Sequence, residues 1–284
     1  MLNELLFVLA KRFVSGTTVQ EAVRAVQQLN EQGIMATLDV LGENVRSIET
    51  AEVAVKSYLE TLAWIQKSGI QSNVSLKLTQ MGLDIGKDFC KENLARVCEK
   101  AAETGNFVRI DMEGSAYTQR TLDIFHEIFE SYKNVGIVLQ AYLRRTPDDL
   151  PPLISVGARI RLCKGAYKEQ KDIALQQMSE IRESFKKLAS DLLREGTYPA
   201  IATHDDDLIS WTKEFASNHG IAKNQFEFQM LYGLRKRTQI ELARGGHSMR
   251  VYVPYGTHWI PYFYRRLRER RENVYFALRN LLKA

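Results

Sequence analysis

The chain has 284 residues, 39 of them basic and 34 acidic, for a net charge of +5. A hydrophobic content of 45% is enough to close the core of one large domain or two small ones, which excludes disordered, collagen-like and disulfide-scaffold classes. Cys90, Cys98 and Cys163 leave one thiol unpaired under any pairing and lie in no CxxC or zinc-ligand spacing, so free thiols in a reducing cytoplasm, with no metal site, are expected. Near the start, Glu4 precedes an apolar run of only six residues, Leu5 to Ala10, before Lys11 and Arg12. That pattern is not a secretory signal. No stretch approaches the roughly 18–20 apolar residues that span a bilayer, so membrane contact is expected to be peripheral at most.

The first element in chain order is a helix opened by a Thr18-x-x-Glu21 capping box, with Val19, Ala22, Val23, Val26 and Leu29 recurring at three and four. Eight apolar, β-branched runs then alternate with helical segments. The predicted strands are 34–42, 72–79, 107–114, 136–142, 158–165, 198–205, 226–233 and 249–256. The predicted helices between and after them are 48–67, 88–104, 118–132, a short segment near 148–155, 168–195, 206–219, 234–244 and 258–282. A glycine stands ahead of every strand, and several, such as Gly33 and Gly69, sit where a helix C-cap wants a left-handed residue. This alternation predicts an α/β fold with parallel pairing: a closed (β/α)8 TIM-type barrel with an extra N-terminal helix and a C-terminal helix over the strand ends. No Pro-, Gly- or Ser-rich linker interrupts it, so one domain over 1–284 is expected.

In such a barrel the reactive groups hang from the C-terminal strand ends. The polar residues there are Asp39 and Glu43, Lys77, Asp111 and Glu113, Gln140, Arg161 and Lys164, His204 and Asp205, Gln229 and Tyr252. A strand enclosed by helices should be almost wholly apolar, and an unpaired buried charge costs several kcal/mol, so Lys77 and Arg161 need partners. An interior ion pair, such as Lys77 with Asp111, would satisfy one of them. A ring of mixed charge at one end of the barrel reads instead as a ligand mouth, because convergent polar groups in an apolar cup fix orientation.

Beyond the eighth strand, Thr257 can cap a helix whose first turn holds Pro261. Tyr262, Arg265, Arg266 and Glu269 form one stripe on it, while Phe263 and Leu267 occupy another face that can pack on the barrel. Two guanidiniums converging on one spot suit a carboxylate. Arg268, Arg270 and Arg271 extend the run to five arginines in seven positions. No nucleic-acid motif accompanies it and the charge elsewhere is near balance, so no nucleic-acid partner is expected. GxGxxG after a strand, P-loop, HExxH and GxSxG are all absent. A nucleotide cofactor would therefore have to bind at the strand ends, best at Arg161 with Lys164-Gly165-Ala166, where two cations and an unhindered backbone could hold a pyrophosphate.

Taken together, FVSG (13–16), ATLDVLGE (36–43), SLKLTQMGLD (75–84), RIDMEGS (109–115), VLQAYLRRT (138–146), RLCKGAYKE (161–169), ATHD (202–205), FQMLYGLR (228–235), RVYVPYG (250–256) and the YFYRRLRERREN stretch resemble the proline dehydrogenase family of flavoenzymes. The resemblance spans nearly the whole chain. It implies noncovalent FAD at the strand ends, oxidation of L-proline to Δ1-pyrroline-5-carboxylate, and passage of electrons to a membrane quinone. By the same resemblance, Arg265 and Arg266 with Lys77 look like a clamp on the proline carboxylate, and Asp111 like the carboxylate that orders those cations. Arg161 is similar to the family arginine beside the flavin's hydride-accepting nitrogen. Met112, Gln140, Lys164, Gly165, Ala166, Thr203, His204, Gln229 and Glu269 match further cofactor positions. Tyr252 and Tyr262 look like pocket walls, and Glu43 like the acid that pairs with Arg265 to close the site.

The chain departs from the family pattern at Lys168, where the bifunctional members carry tryptophan, and at IRESF, where many relatives have an Asn-Tyr or Ser-Tyr pair; both fall at the adenosine end. Three other readings remain open on the residues alone. One is a metal-dependent hydrolase using Asp39, Asp111, His204 and Asp205; another is a Schiff-base aldolase using Lys77 or Lys164. The third is a binding module that engages an acidic partner or anionic lipid through the arginine-rich helix.

Overall fold

The computed structural model describes residues 10–269, apart from the side chains of Arg265, Leu267, Arg268 and Glu269. Helix α1 (Val19–Asn30) starts at the predicted capping box: Thr18 accepts the Glu21 amide, while the Glu21 carboxylate takes the amides of Thr17 at 2.7 Å and Thr18 at 3.2 Å. Eight strands follow: β1 (Met35–Val40), β2 (Ser72–Leu76), β3 (Val108–Ile110), β4 (Val135–Gln140), β5 (Arg159–Cys163), β6 (Ala200–Ala202), β7 (Glu227–Leu231) and β8 (Ser248–Tyr255). All neighbours pair in parallel, and β8 returns to β1 with Leu38 opposite Val253, closing the barrel. The fold class is therefore the one the alternation predicts.

The intervening helices are α2 (Ile48–Ser68), α3 (Lys87–Glu103), α4 (Ser115–Ser131), α5 (Thr146–Ser155), α6 (Met178–Glu195), α7 (Asp206–Asn218) and α8 (Lys236–Arg244), with α9 (Trp259–Glu269) after β8. The main core fills the layer between sheet and helices, where Tyr58, Leu62, Phe125 and Phe185 are fully buried against strand residues such as Ile160 and Leu162. Because successive strand side chains alternate faces, Arg159, Arg161 and Cys163 point the other way, into the barrel. A second cluster joins Ala10, Phe13 and Val14 to Leu41, Leu234, Trp259, Tyr262 and Phe263, and seats α9 against the segment before α1. Among the described residues, no helix is long and apolar enough to cross a membrane.

Several predicted boundaries move. The helix expected over 168–195 begins only at Met178. Residues before it are held elsewhere: Leu175 donates its amide to Tyr142, Arg144 donates its own to Ile173, and the Glu169 carboxylate takes the Ser115 amide at 2.7 Å and hydroxyl at 2.6 Å. Glu169 thereby supplies the anion that α4 needs at its start, where the cap residue, Gly114, has no side chain. Strands β3 and β6 are three residues long, so residues 111–113 and 203–205 lie past their ends, at the mouth of the barrel. Helix α9 starts at Trp259, two residues after Thr257, which therefore does not occupy the cap position. The predicted extension to 282 lies outside the described residues.

At the N-terminal end of the strands the interior is also charged. Arg250 Nε sits 3.0 Å from both Glu227 oxygens, and its Nη1 donates to Ala36 O at 2.6 Å. Arg109 donates to Ile137 O at 3.1 Å, and Arg159 stacks on Phe107 and Tyr198. Burial raises the cost of the Glu227 charge, but Arg250 with Gln229 and Arg109 outweighs that and holds its carboxyl below the usual range.

Candidate active site

Six side chains, carried on or just past five of the strands, meet inside the barrel mouth. Asp111, just past β3, takes Arg161 of β5 on Oδ1 at 2.8 Å and the Tyr252 hydroxyl of β8 on Oδ2 at 2.8 Å. Ser75, two residues before Lys77 and so on the same face of β2, donates to Asp111 Oδ1 at 2.7 Å. Lys77 Nζ lies 3.5 Å from Asp39 and 3.6 Å from Asp111. The interior ion pair anticipated for Lys77 is thus present, with a second carboxylate on its other side.

The electrostatics follow from burial and these partners. Burial disfavours the charged form of Lys77, but Asp39 and Asp111 outweigh it and raise the ammonium above the usual lysine range. Burial likewise opposes the Asp111 charge, yet Lys77, Arg161 and two donated hydrogen bonds bring its carboxyl below the ordinary value. Asp39, fully buried, goes the other way: desolvation and the neighbouring Asp111 outweigh Lys77, and its carboxyl is raised. The Tyr58 hydroxyl anchors Asp39 from below, 3.2 Å from its Oδ1 and 2.9 Å from Ser75 O.

Above this cluster opens a cavity of 510 Å3. Lys77, Asp111, Arg161 and Tyr252 form its charged floor, and Tyr262 and Arg266 of α9 reach its edge. The Arg266 guanidinium lies 5.1 Å over the Tyr262 ring, and that of Arg161 5.4 Å over Tyr252. Met112, Gln140, Lys164, Gly165 and Ala166 line one wall, and Thr203, His204 and Gln229 another. Lys164 is tied to Asp205 at 2.9 Å, which Arg182 also contacts at 2.9 Å. His204 Nε2 accepts the Leu231 amide at 2.9 Å, and Gln140 Nε2 donates to Glu113 O at 2.9 Å. Gly165 has φ +122°, and a Cβ there would strike the Tyr142 ring, so only glycine permits this close packing on Tyr142.

Glu43 lines a neighbouring cavity of 890 Å3 that shares Lys77 and Tyr262 with the first. The side chains of Arg265 and Glu269 lie outside the described residues, so the Glu43–Arg265 pair and the full Tyr/Arg/Arg/Glu stripe do too. Ser75, Tyr58 and Glu227 were not singled out by sequence reasoning. The available signal for Ser75 and Glu227 was their spacing of two from Lys77 and Gln229, which puts each pair on one strand face.

The rival chemistries lose their geometry here. Asp39 and Asp111 flank Lys77, whereas Asp205 is tied to Lys164 and Arg182 and His204 accepts the Leu231 amide, so the four do not converge on one point. Lys77 is held charged, whereas an imine-forming lysine must be neutral.

A closed parallel barrel with convergent charged groups around a cavity at its C-terminal strand ends is a barrel enzyme. The chain belongs to the proline dehydrogenase family: the family model described as Proline dehydrogenase matches residues 22–279. It is 44% identical over 276 residues to Proline dehydrogenase 2 of Bacillus subtilis (strain 168), covering 97% of this chain and 91% of that one. It is 37% identical over 280 residues to Proline dehydrogenase of Deinococcus radiodurans, covering 97% and 90%. Among solved structures it resembles proline utilization A (PutA) from Bdellovibrio bacteriovorus inactivated by N-propargylglycine, with TM-score 0.86 and 27% identity over 92% of this chain and 32% of that one. The chain is an oxidoreductase of this family.

Proposed function

We propose that the chain, as a single catalytic domain over 1–284, oxidises L-proline to Δ1-pyrroline-5-carboxylate with FAD as cofactor and passes the electrons to a membrane quinone. The observation that carries this reading is Lys77, kept charged between Asp39 and Asp111 beside the Arg161–Asp111 pair, at the floor of a cavity whose edge bears Arg266. An amino acid's carboxylate is the natural ligand of such a cluster.

The cavity's residues fit FAD. Lys164 and the Gly165–Ala166 backbone along the cavity wall suit a pyrophosphate, while Gln140, Thr203, His204 and Gln229 offer hydrogen bonds to a polar ring edge. Among the described residues, Arg161 Nε has no hydrogen-bond partner, so this buried guanidinium keeps a donor in reserve. Bound FAD would supply the two-electron acceptor for the hydride leaving proline.

Lys77, Arg266 and Arg265 grip the carboxylate, and Asp111 orders Lys77 and Arg161. Tyr252 and Tyr262 wall the pocket, with Glu43 closing over substrate; the cofactor role of Glu269 rests on the family resemblance. Holding the far carboxylate aims the ring carbon beside nitrogen at the acceptor, which lowers the entropic cost of transfer. Solvent takes the extra amine proton. The enzyme works in the cytoplasm, with peripheral contact at the inner face of the plasma membrane. The test is spectral: the purified holoenzyme should be yellow and bleach on addition of proline. A colourless protein indifferent to proline would end this reading.

A further inference from the structure

Glu227 lies below the proposed cofactor pocket, only 2% exposed, and faces two donors. One is Arg250, whose Nε is 3.0 Å from both carboxylate oxygens; the other is the Gln229 side-chain amide, whose Nε2 donates to Glu227 Oε1. An ionised carboxylate can only accept hydrogen bonds. Rotating the Gln229 amide would set its oxygen against that carboxylate inside the barrel, where two facing acceptors repel and the amide hydrogens lose their partner. The NH2 group of Gln229 must therefore point down to Glu227. Its carbonyl oxygen is then the atom left for the cavity that Gln229 lines, and among the described residues no hydrogen bond to that oxygen is made.

The geometry points to Glu227 as a positioning residue: paired with Arg250, it locks Gln229 as an acceptor and so selects a cofactor ring that presents an N–H at that point of the wall. The chemical class is a ring imide, N–H between two carbonyls, such as the isoalloxazine of FAD carries; the inference rests on the FAD reading above and goes a step below it. Arg250 takes part by keeping Glu227 ionised. It also ties the arrangement to the barrel wall through Ala36 O.

The experiment uses the full-length chain, stripped of flavin and titrated with FAD and with N3-methyl-FAD, which lacks that N–H, following quenching of flavin fluorescence. The unaltered chain should bind FAD at least about tenfold more tightly than the methylated analogue, a difference of ~1.4 kcal/mol. In Glu227→Gln the Gln229 amide can turn over, and the preference should fall below threefold. Because Glu227→Gln also loosens Arg250, Gln229→Leu provides a second variant that keeps the Glu227–Arg250 pair and should lose the preference equally. A purely structural Glu227 would weaken both ligands alike and leave the ratio intact, which overturns the inference. So does an unchanged ratio in Gln229→Leu. A chain that takes up no FAD removes the functional reading and this inference together, whereas FAD uptake with an unaltered ratio removes the inference alone.

Discussion

Asp111 and Arg161 meet at 2.8 Å across the barrel interior, from strands that β4 separates, and both are largely shielded from solvent. The pair is only part of a tighter balance, since Lys77 and Tyr252 draw on the other oxygen of Asp111. Replacing it with Asn should leave two buried cations facing Asp39 alone. Breaking a buried pair from one side costs about 3–5 kcal/mol. Asp111→Asn is thus expected to lower both the unfolding free energy, read by urea denaturation, and proline turnover. Wild-type stability together with wild-type kcat/KM would contradict the balance described.

Arg266 is buried at the cavity edge, its guanidinium over Tyr262. If it grips the substrate carboxylate, Arg266→Met should raise the proline KM at least tenfold, since a charge-assisted hydrogen bond contributes ~1.5–3 kcal/mol. Steady-state kinetics on the flavin-loaded variant reads this directly, and an unchanged KM would remove Arg266 from the clamp.

The strand pattern was legible because parallel strands, buried on both faces, read as apolar runs, most of them behind a glycine that follows a helix; β4 differs, with Gly136 inside the strand. The strand-end groups were legible for the converse reason, since charges such as Lys77 and Arg161 interrupt those runs. Less visible was the start of α6. The stretch 168–177 has helical composition, but its Glu169 is used to cap a different helix, a tertiary demand that periodicity does not carry. Tyr58 was equally hidden. On α2 it looks like any core aromatic, and only its hydroxyl, aimed at Asp39 and Ser75, gives it a place under the site.

His247 packs edge-on to Phe228 and beside Phe226. Burial, then Lys223 and Lys213, depress its pKa from 6.5 to about 4. Between those values the unfolded chain binds the proton more readily than the folded one. The neutral imidazole therefore favours folding fully above pH 6.5, and that contribution should fade as acidity increases toward pH 4. His247→Phe should flatten this segment of the stability profile, measured as urea midpoints across the window. A variant with the same slope as wild type would refute the assignment.

The three thiols differ in reactivity. Burial raises both Cys90 and Cys98 to about 12, while Cys163 is half-buried and lines the cavity. Alkylation of the native apoprotein at neutral pH should label one thiol per chain, at Cys163, with bound cofactor slowing it. Mass spectrometry after brief iodoacetamide treatment checks the count, and early label on Cys98 would be inconsistent with this packing.

Phe13 and Phe263, 6.2 Å apart between ring centroids, belong to the same apolar cluster. During synthesis the first of them leaves the ribosome some 250 residues before the second, so the seat beneath α9 stands half built until Phe263 emerges. Tyr262 and Arg266 ride on that helix, so the catalytic mouth is completed only after all eight strands of the barrel have been made. A deletion that trims the segment around Phe13 would be felt, by the same route, in a pocket whose own residues it never touched.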